Sequence, residues 1–115
     1  MLMQGPDELA RRVLAADVPE DQVMLVIGEP TFEEMGVASE TLTEGCGSPP
    51  DMAILRSDTY RVLFERKDEE EPSVMDIPVT FSDLMPRGMI CLAVMSRLTA
   101  DPVDPSGVFM VQVVG

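Results

Sequence analysis

Short apolar runs alternate along the chain with polar breaks that carry glycine or proline, and the spacing inside the runs changes from segment to segment. Gly5-Pro6-Asp7-Glu8 reads as a helix start, because proline fits the first turn and acids there complement the helix dipole. Leu9, Val13 and Ala16 follow at helical spacing, and Val18-Pro19 ends the pattern. The spacing predicts a helix over 6–17. The run 22–28 is continuous, short, rich in valine and isoleucine, and closed by glycine. That pattern predicts a strand buried on both faces. Thr31 and Glu34 form a capping box, and Phe32, Met35, Ala38 and Leu42 line one face of a helix over about 32–44. Gly36 is a candidate break within it.

The segment 45–50 holds two glycines and two prolines and reads as a loop. Residues 52–56 and 60–66 read as strands joined by a tight reversal at Ser57-Asp58-Thr59. In the second of these, Tyr60, Val62 and Phe64 alternate with Arg61 and Glu65. Residues 67–72 are a charged loop, and 77–81 a short strand whose proline suits an edge. A turn or short helix starts at Ser82-Asp83. The run 89–95 fits a buried strand or a buried helix, and its short length and flanking turn signals favour the strand. A proline-bearing loop over 101–107 leads to a final strand over 108–114. The fold class is therefore α/β of the α+β type. One mixed sheet of about five or six strands is expected, with helices packed on one face, and residues 1–115 are expected to form one acidic domain.

Charge changes the picture of partners. Eight basic residues stand against 21 acidic ones, a formal net charge of −13, and histidine is absent. Residues 1–50 carry ten acids and two bases, whereas residues 51–115 carry eleven acids and six bases. Such a surface repels phosphate backbones and anionic membranes, so direct nucleic-acid or membrane contact is not expected. A basic protein partner fits better. Cys46 and Cys91 form no metal-ligand spacing and no disulfide framework, and the N-terminus lacks a secretory pattern. A reducing cytoplasm is the expected compartment.

Candidate chemistry is sparse. Without histidine, neither the Ser-His-Asp nor the Cys-His mechanism is open to this chain. Cys46 lies between glycines, which would expose a sulfur, but no base stands near it in sequence and Glu40 and Glu44 oppose a thiolate. The acidic run 68–71 and the aspartates at 101 and 104 lack the alternation and glycine of a calcium loop, so no metal site is expected. Arg61, Arg66 and Lys67 with Tyr60 and Phe64 superficially resemble a nucleic-acid patch, yet alternation turns the aromatics away from Arg61. No glycine-rich phosphate loop is present, and no cofactor is expected. The ten methionines suit irregular cores or adaptable surfaces.

The expected function is a non-catalytic protein-interaction module, acting as a homodimeric accessory or assembly subunit. One alternative is an acidic mimic of nucleic acid that blocks a basic groove, drawing on the acid-only stretch from Glu29 to Glu44. A less favoured one is a small enzyme built on Cys46. The last strand carries neither charge nor proline, so it is either central in its sheet or covered by a second subunit. In the second case Phe109, Met110, Val111 and Gln112 are the interaction residues, with Phe109 the anchor.

The charge generates a first prediction. Self-repulsion among the carboxylates should lower stability in dilute buffer. Moderate salt should raise the melting temperature, as the Debye length shrinks to about 8 Å at physiological ionic strength. A melting temperature that falls steadily as salt is added would mean that attractive ion pairs dominate.

Overall fold

In a computed structural model of the chain, the apolar runs assemble into one mixed sheet with helices on both faces. The structure describes residues 5–16, 18–28, 32–64, 73–74, 77–100 and 102–114. The elements in chain order are α1 (Pro6–Ala15), β1 (Val23–Ile27), α2 (Phe32–Cys46), β2 (Met52–Leu55), α3 (Ser57–Phe64), β3 (Ser73–Val74), β4 (Ile77–Phe81), β5 (Met89–Ala93), α4 (Met95–Leu98) and β6 (Val108–Val114). Single 3-10 turns at Glu20–Gln22 and Pro105–Gly107 lead into β1 and β6. The strand order is β1-β6-β5-β2-β4-β3. β1, β6, β2 and β4 run in one direction, and β5 and β3 run against them. β3 adds only two residues to one edge.

The mixed α+β sheet expected from the sequence is present, with three corrections. First, residues 60–64 belong to a helix, not a strand. β2 and β4 are parallel neighbours, and parallel strands need a crossover rather than a tight reversal. α3 starts that crossover, with the Tyr60 N–H donating to the Arg56 carbonyl (3.0 Å). Second, helices cover both faces of the sheet. Leu9, Ala10 and Val13 of α1, with Leu98 of α4, pack on Ile54, Cys91, Ala93, Val108 and Met110. Met35, Ala38 and Leu42 of α2, with Tyr60 of α3, pack on the opposite face against Ala53, Leu55, Ile90, Leu92, Phe109 and Val111. Third, β1 is a strand as expected, but it is not buried on both faces: Val23, Leu25 and Ile27 are exposed.

Several smaller features follow the sequence. α2 runs unbroken through Gly36, and 89–93 is a strand. α1 ends at Ala15, two residues short of the expected boundary. The charged loop expected over 67–72 lies outside the described residues.

Long side chains close the gaps between elements. The Arg12 guanidinium donates to the Leu98 and Ala100 carbonyls (3.5 and 3.3 Å), which ties α1 to the end of α4. Arg97 donates to the Cys46 carbonyl at the end of α2 (3.2 Å), where a cation also complements the dipole. The Gln22 amide donates to both the Pro105 and Val108 carbonyls (2.7 Å each), fixing the start of β1 beside the start of β6. Gly88 has φ +76°, and a Cβ there would meet the Val113 carbonyl oxygen at 2.8 Å. Only glycine admits that approach, which lets the Val113 N–H reach the Gly88 carbonyl at 2.7 Å.

This packing predicts a sharp contrast between two leucines. Leu92 is fully buried in β5, so Leu92→Ala should cost about 2–5 kcal/mol. Leu25 is 71% exposed in β1, so Leu25→Ala should change the stability of the monomer by no more than about 0.5 kcal/mol. Urea unfolding of the two variants beside the wild type at low protein concentration checks both.

Candidate interaction surface

β1 lies at one edge of the sheet and is paired only with β6, in parallel register Val23↔Met110, Leu25↔Gln112 and Ile27↔Val114. The Gly28 N–H donates to the Val114 carbonyl (2.9 Å), so the backbone groups of Gly28 face β6. Alternate residues of a strand point their backbone groups the same way. Met24 and Val26 therefore also face β6, and Val23, Leu25 and Ile27 turn theirs outward, away from the sheet, with the Val23 N–H taken up by the Glu20 carbonyl of the preceding 3-10 turn.

The side chains of those same three residues stand on the α1 side of the sheet. α1 crosses the middle strands and does not reach them, whereas Met24 and Val26 sit beneath α2. Leu25 is consequently 71% exposed and Ile27 89% exposed. Val23 and Val114 are exposed beside them. Among the described residues, these four make up half of the eight exposed large hydrophobic side chains, so the exposure is concentrated on one edge rather than scattered. The strand carries no charge and no proline, the usual devices that blunt an open edge.

The residues singled out in the last strand lie elsewhere in the sheet. Phe109 and Val111 are buried in the core beneath α2, and Met110 is buried on the α1 side. Gln112 is half-buried, and its amide donates to the Val113 carbonyl (3.3 Å). β6 has neighbours on both sides, β1 and β5, so it is the central strand of the two alternatives that the sequence left open. The signal for β1 was nevertheless present. Residues 22–28 are as free of charge and proline as residues 108–114. Residues 89–95 share that property, and what the sequence does not encode locally is which of the three runs ends at the edge.

The remaining candidates are structural in their surroundings. Cys46 is the last residue of α2, half-buried, and its thiol donates to the Ser48 carbonyl (3.3 Å). Cys91 is fully buried and burial pushes its thiol well above the ordinary range. Tyr60 is buried and meets Phe81 edge to face at 5.5 Å, while Arg61 is exposed on α3. Arg66, Lys67 and the acidic run 68–71 lie outside the described residues, as does Asp101.

A cleft opens at the carboxyl ends of β2 and β4, lined by Asp7, Glu8, Ser57 and Asp83 among others. Its buried Ser82 hydroxyl donates to Asp7 (2.8 Å) and accepts from the Leu84 N–H (3.2 Å). The first bond ties α1 to the turn after β4, and the second closes that turn. Among the described residues, no three carboxylate or thiol side chains gather as a metal site would require, and no helix is long and apolar enough to cross a membrane. The chain matches no known protein family, no curated protein and no solved structure.

Asp104 generates a pH prediction. Hydrogen bonds from the Ser106 hydroxyl (2.7 Å) and the Ser106 N–H (3.0 Å), with Arg97 nearby (3.2 Å), hold its carboxyl below the ordinary range. A lowered folded-state pKa stabilises the fold above the unfolded value of about 3.9, and that contribution disappears as pH falls through the folded value. Asp104→Asn should therefore lower the melting temperature at pH 7, and the gap to wild type should close in acid below about pH 4. A gap of unchanged size across that range would mean that the carboxylate charge contributes nothing.

Proposed function

We propose that this chain is a non-catalytic protein-interaction module, an accessory or assembly subunit that works through the open edge of β1. The observation that carries the reading is the coincidence, on Val23, Leu25 and Ile27, of outward backbone groups with exposed apolar side chains. An uncovered strand of this kind pairs readily with another strand. Main-chain hydrogen bonds supply the affinity and alternate side chains the selectivity. A protein partner is implied, a second copy of the chain among the options. The two free thiols suit a reducing cytoplasm.

A second reading rests on a different element. Glu33, Glu40 and Glu44 are exposed on α2 and fall within one narrow stripe at 3.6 residues per turn. Their spacings along the axis, about 10 Å and about 6 Å at 1.5 Å per residue, approach those of phosphates and would suit a mimic of nucleic acid in a basic groove.

One capture experiment separates these readings. Wild type, Ile27→Lys and the double variant Glu40→Lys, Glu44→Lys serve as baits in extracts of the source cell. A partner held by wild type and by the double variant, but lost with Ile27→Lys, is the expected result. A partner lost only with the double variant would favour the mimic. A turnover abolished by Cys46→Ala would overturn the non-catalytic reading altogether.

A further inference from the structure

We infer that the edge of β1 is self-complementary, and that two copies of the chain join there in antiparallel fashion with Leu25 of each on the twofold axis. This rests on the reading of the chain as an interaction module and names its partner. Three observations lead to it.

The first is register. The outward backbone groups belong to Val23, Leu25 and Ile27, which are symmetric about Leu25. An antiparallel copy centred there sets Leu25 opposite Leu25, and Val23 opposite Ile27 twice over. Every outward residue then faces an outward residue: the Leu25 pair exchanges two hydrogen bonds, and each Val23–Ile27 pair makes one, from the Ile27 N–H to the Val23 carbonyl, because the Val23 N–H already donates to the Glu20 carbonyl. A shift of one residue would oppose outward groups to inward ones. It would also place the exposed side chains on opposite sides of the joined sheet.

The second is side-chain matching. With Leu25 on the axis, the three exposed side chains of each copy lie on one side of the joined sheet. They form the cross-strand pairs Leu25 with Leu25 and Val23 with Ile27, flanked by Val114. All are apolar. The chain thus supplies its own best complement, and the contact is isologous, as a twofold dimer requires.

The third is closure. The opposite edge of the sheet ends in β3, only two residues long. Among the described residues, joining two copies through β1 uses up the longer apolar edge strand and leaves a two-residue strand, over a β4 that carries Pro78, at each outer end, so the assembly stops at two. A five-residue strand pair covers less than the roughly 800 Å² per partner of a standard interface, which places the dimer in a reversible range.

Charge separates this occupant from a foreign basic strand. Glu20 and Asp21 precede the strand in sequence and Glu29 follows it, and each copy carries a net −13. Two copies meet against repulsion, so added salt should tighten self-association, whereas it should weaken the docking of a basic partner.

The test is sedimentation equilibrium of wild type, Leu25→Lys and Ile27→Lys into the high micromolar range, at low and moderate salt. Both positions are exposed, so the variants should keep the wild-type fold by circular dichroism. Wild type should reach a dimer and no larger species, more tightly with salt. Each lysine should weaken it by at least about tenfold, since Leu25→Lys sets like charges opposite each other on the axis and Ile27→Lys sets a charge against the apolar Val23. Register is read by oxidation in a Cys46→Ser background. Leu25→Cys should cross-link to itself at a Cα separation of about 5.5 Å, within disulfide range. Val23→Cys should cross-link with Ile27→Cys in a mixture and not with itself.

A wild type that stays monomeric, yet still captures a protein lost with Ile27→Lys, would overturn self-pairing and leave the module reading standing. A dimer indifferent to both lysines, or a different cross-linking pattern, would overturn the β1 interface. A monomer that also captures nothing would overturn both readings.

Discussion

β5 and β6 are buried on both faces, and that double burial constrains everything around them. Ile90, Leu92, Phe109 and Val111 need an apolar layer on one side, and Cys91, Ala93, Val108 and Met110 need one on the other. A chain of 115 residues must therefore divide its helices between two faces. The division is unequal. α2 and α3 supply 15 and 8 residues on one side, whereas α1 and α4 supply 10 and 4 on the other. A helix is about 10 Å across and strands lie about 4.8 Å apart, so one helix shelters roughly two strands. On the poorer side α1 covers the centre of the sheet, where Cys91 and Ala93 present small side chains to Leu9, Ala10 and Val13. Nothing among the described residues remains to cover β1 on that side. The exposed edge is a consequence of how the core was divided.

The same constraint shows why parts of the fold were legible and others were not. Periodicity identifies elements that are long or buried on both sides. α1, α2, β4 and β6 carry strong local patterns, and the last two keep their expected boundaries. The segment after Arg56 defeats that logic. Tyr60, Val62 and Phe64 alternate with polar residues, and over so short a stretch a strand and a helix fit equally well. The arbiter is not local. β2 and β4 are parallel, so the chain must cross over between them, and a helix is how it does so. Val62 then becomes an exposed helical residue rather than a core one. Tyr60 finds the core by either route, because its ring meets Phe81 of the neighbouring strand.

The candidate surface was half legible for a related reason. Absence of charge and proline marks a strand whose edges are either satisfied or in need of a partner. Three runs carry that mark, 22–28, 89–95 and 108–114, and their composition does not rank them. Rank comes from topology: β6 is held between β1 and β5, with Gln22 fixing its start against β1. The outer position in the sheet, which the sequence left open for the last strand, is occupied by β1.

An exposed apolar edge calls for some protection against indiscriminate pairing. β1 has none of the local kind, since it lacks lysine, proline and any bulge in its pairing with β6. The protection is global instead. Acids outnumber bases 21 to 8, so any two copies repel before their edges meet. At physiological ionic strength that repulsion reaches only about 8 Å, so it discourages loose encounters without preventing a close, well-registered one. A contact must then offer enough hydrogen bonds and apolar area to overcome the charge. Under the proposed pairing, the net charge and the bare strand would act together: the first discourages loose encounters, and the second offers the registered hydrogen bonds and apolar area that a close contact needs.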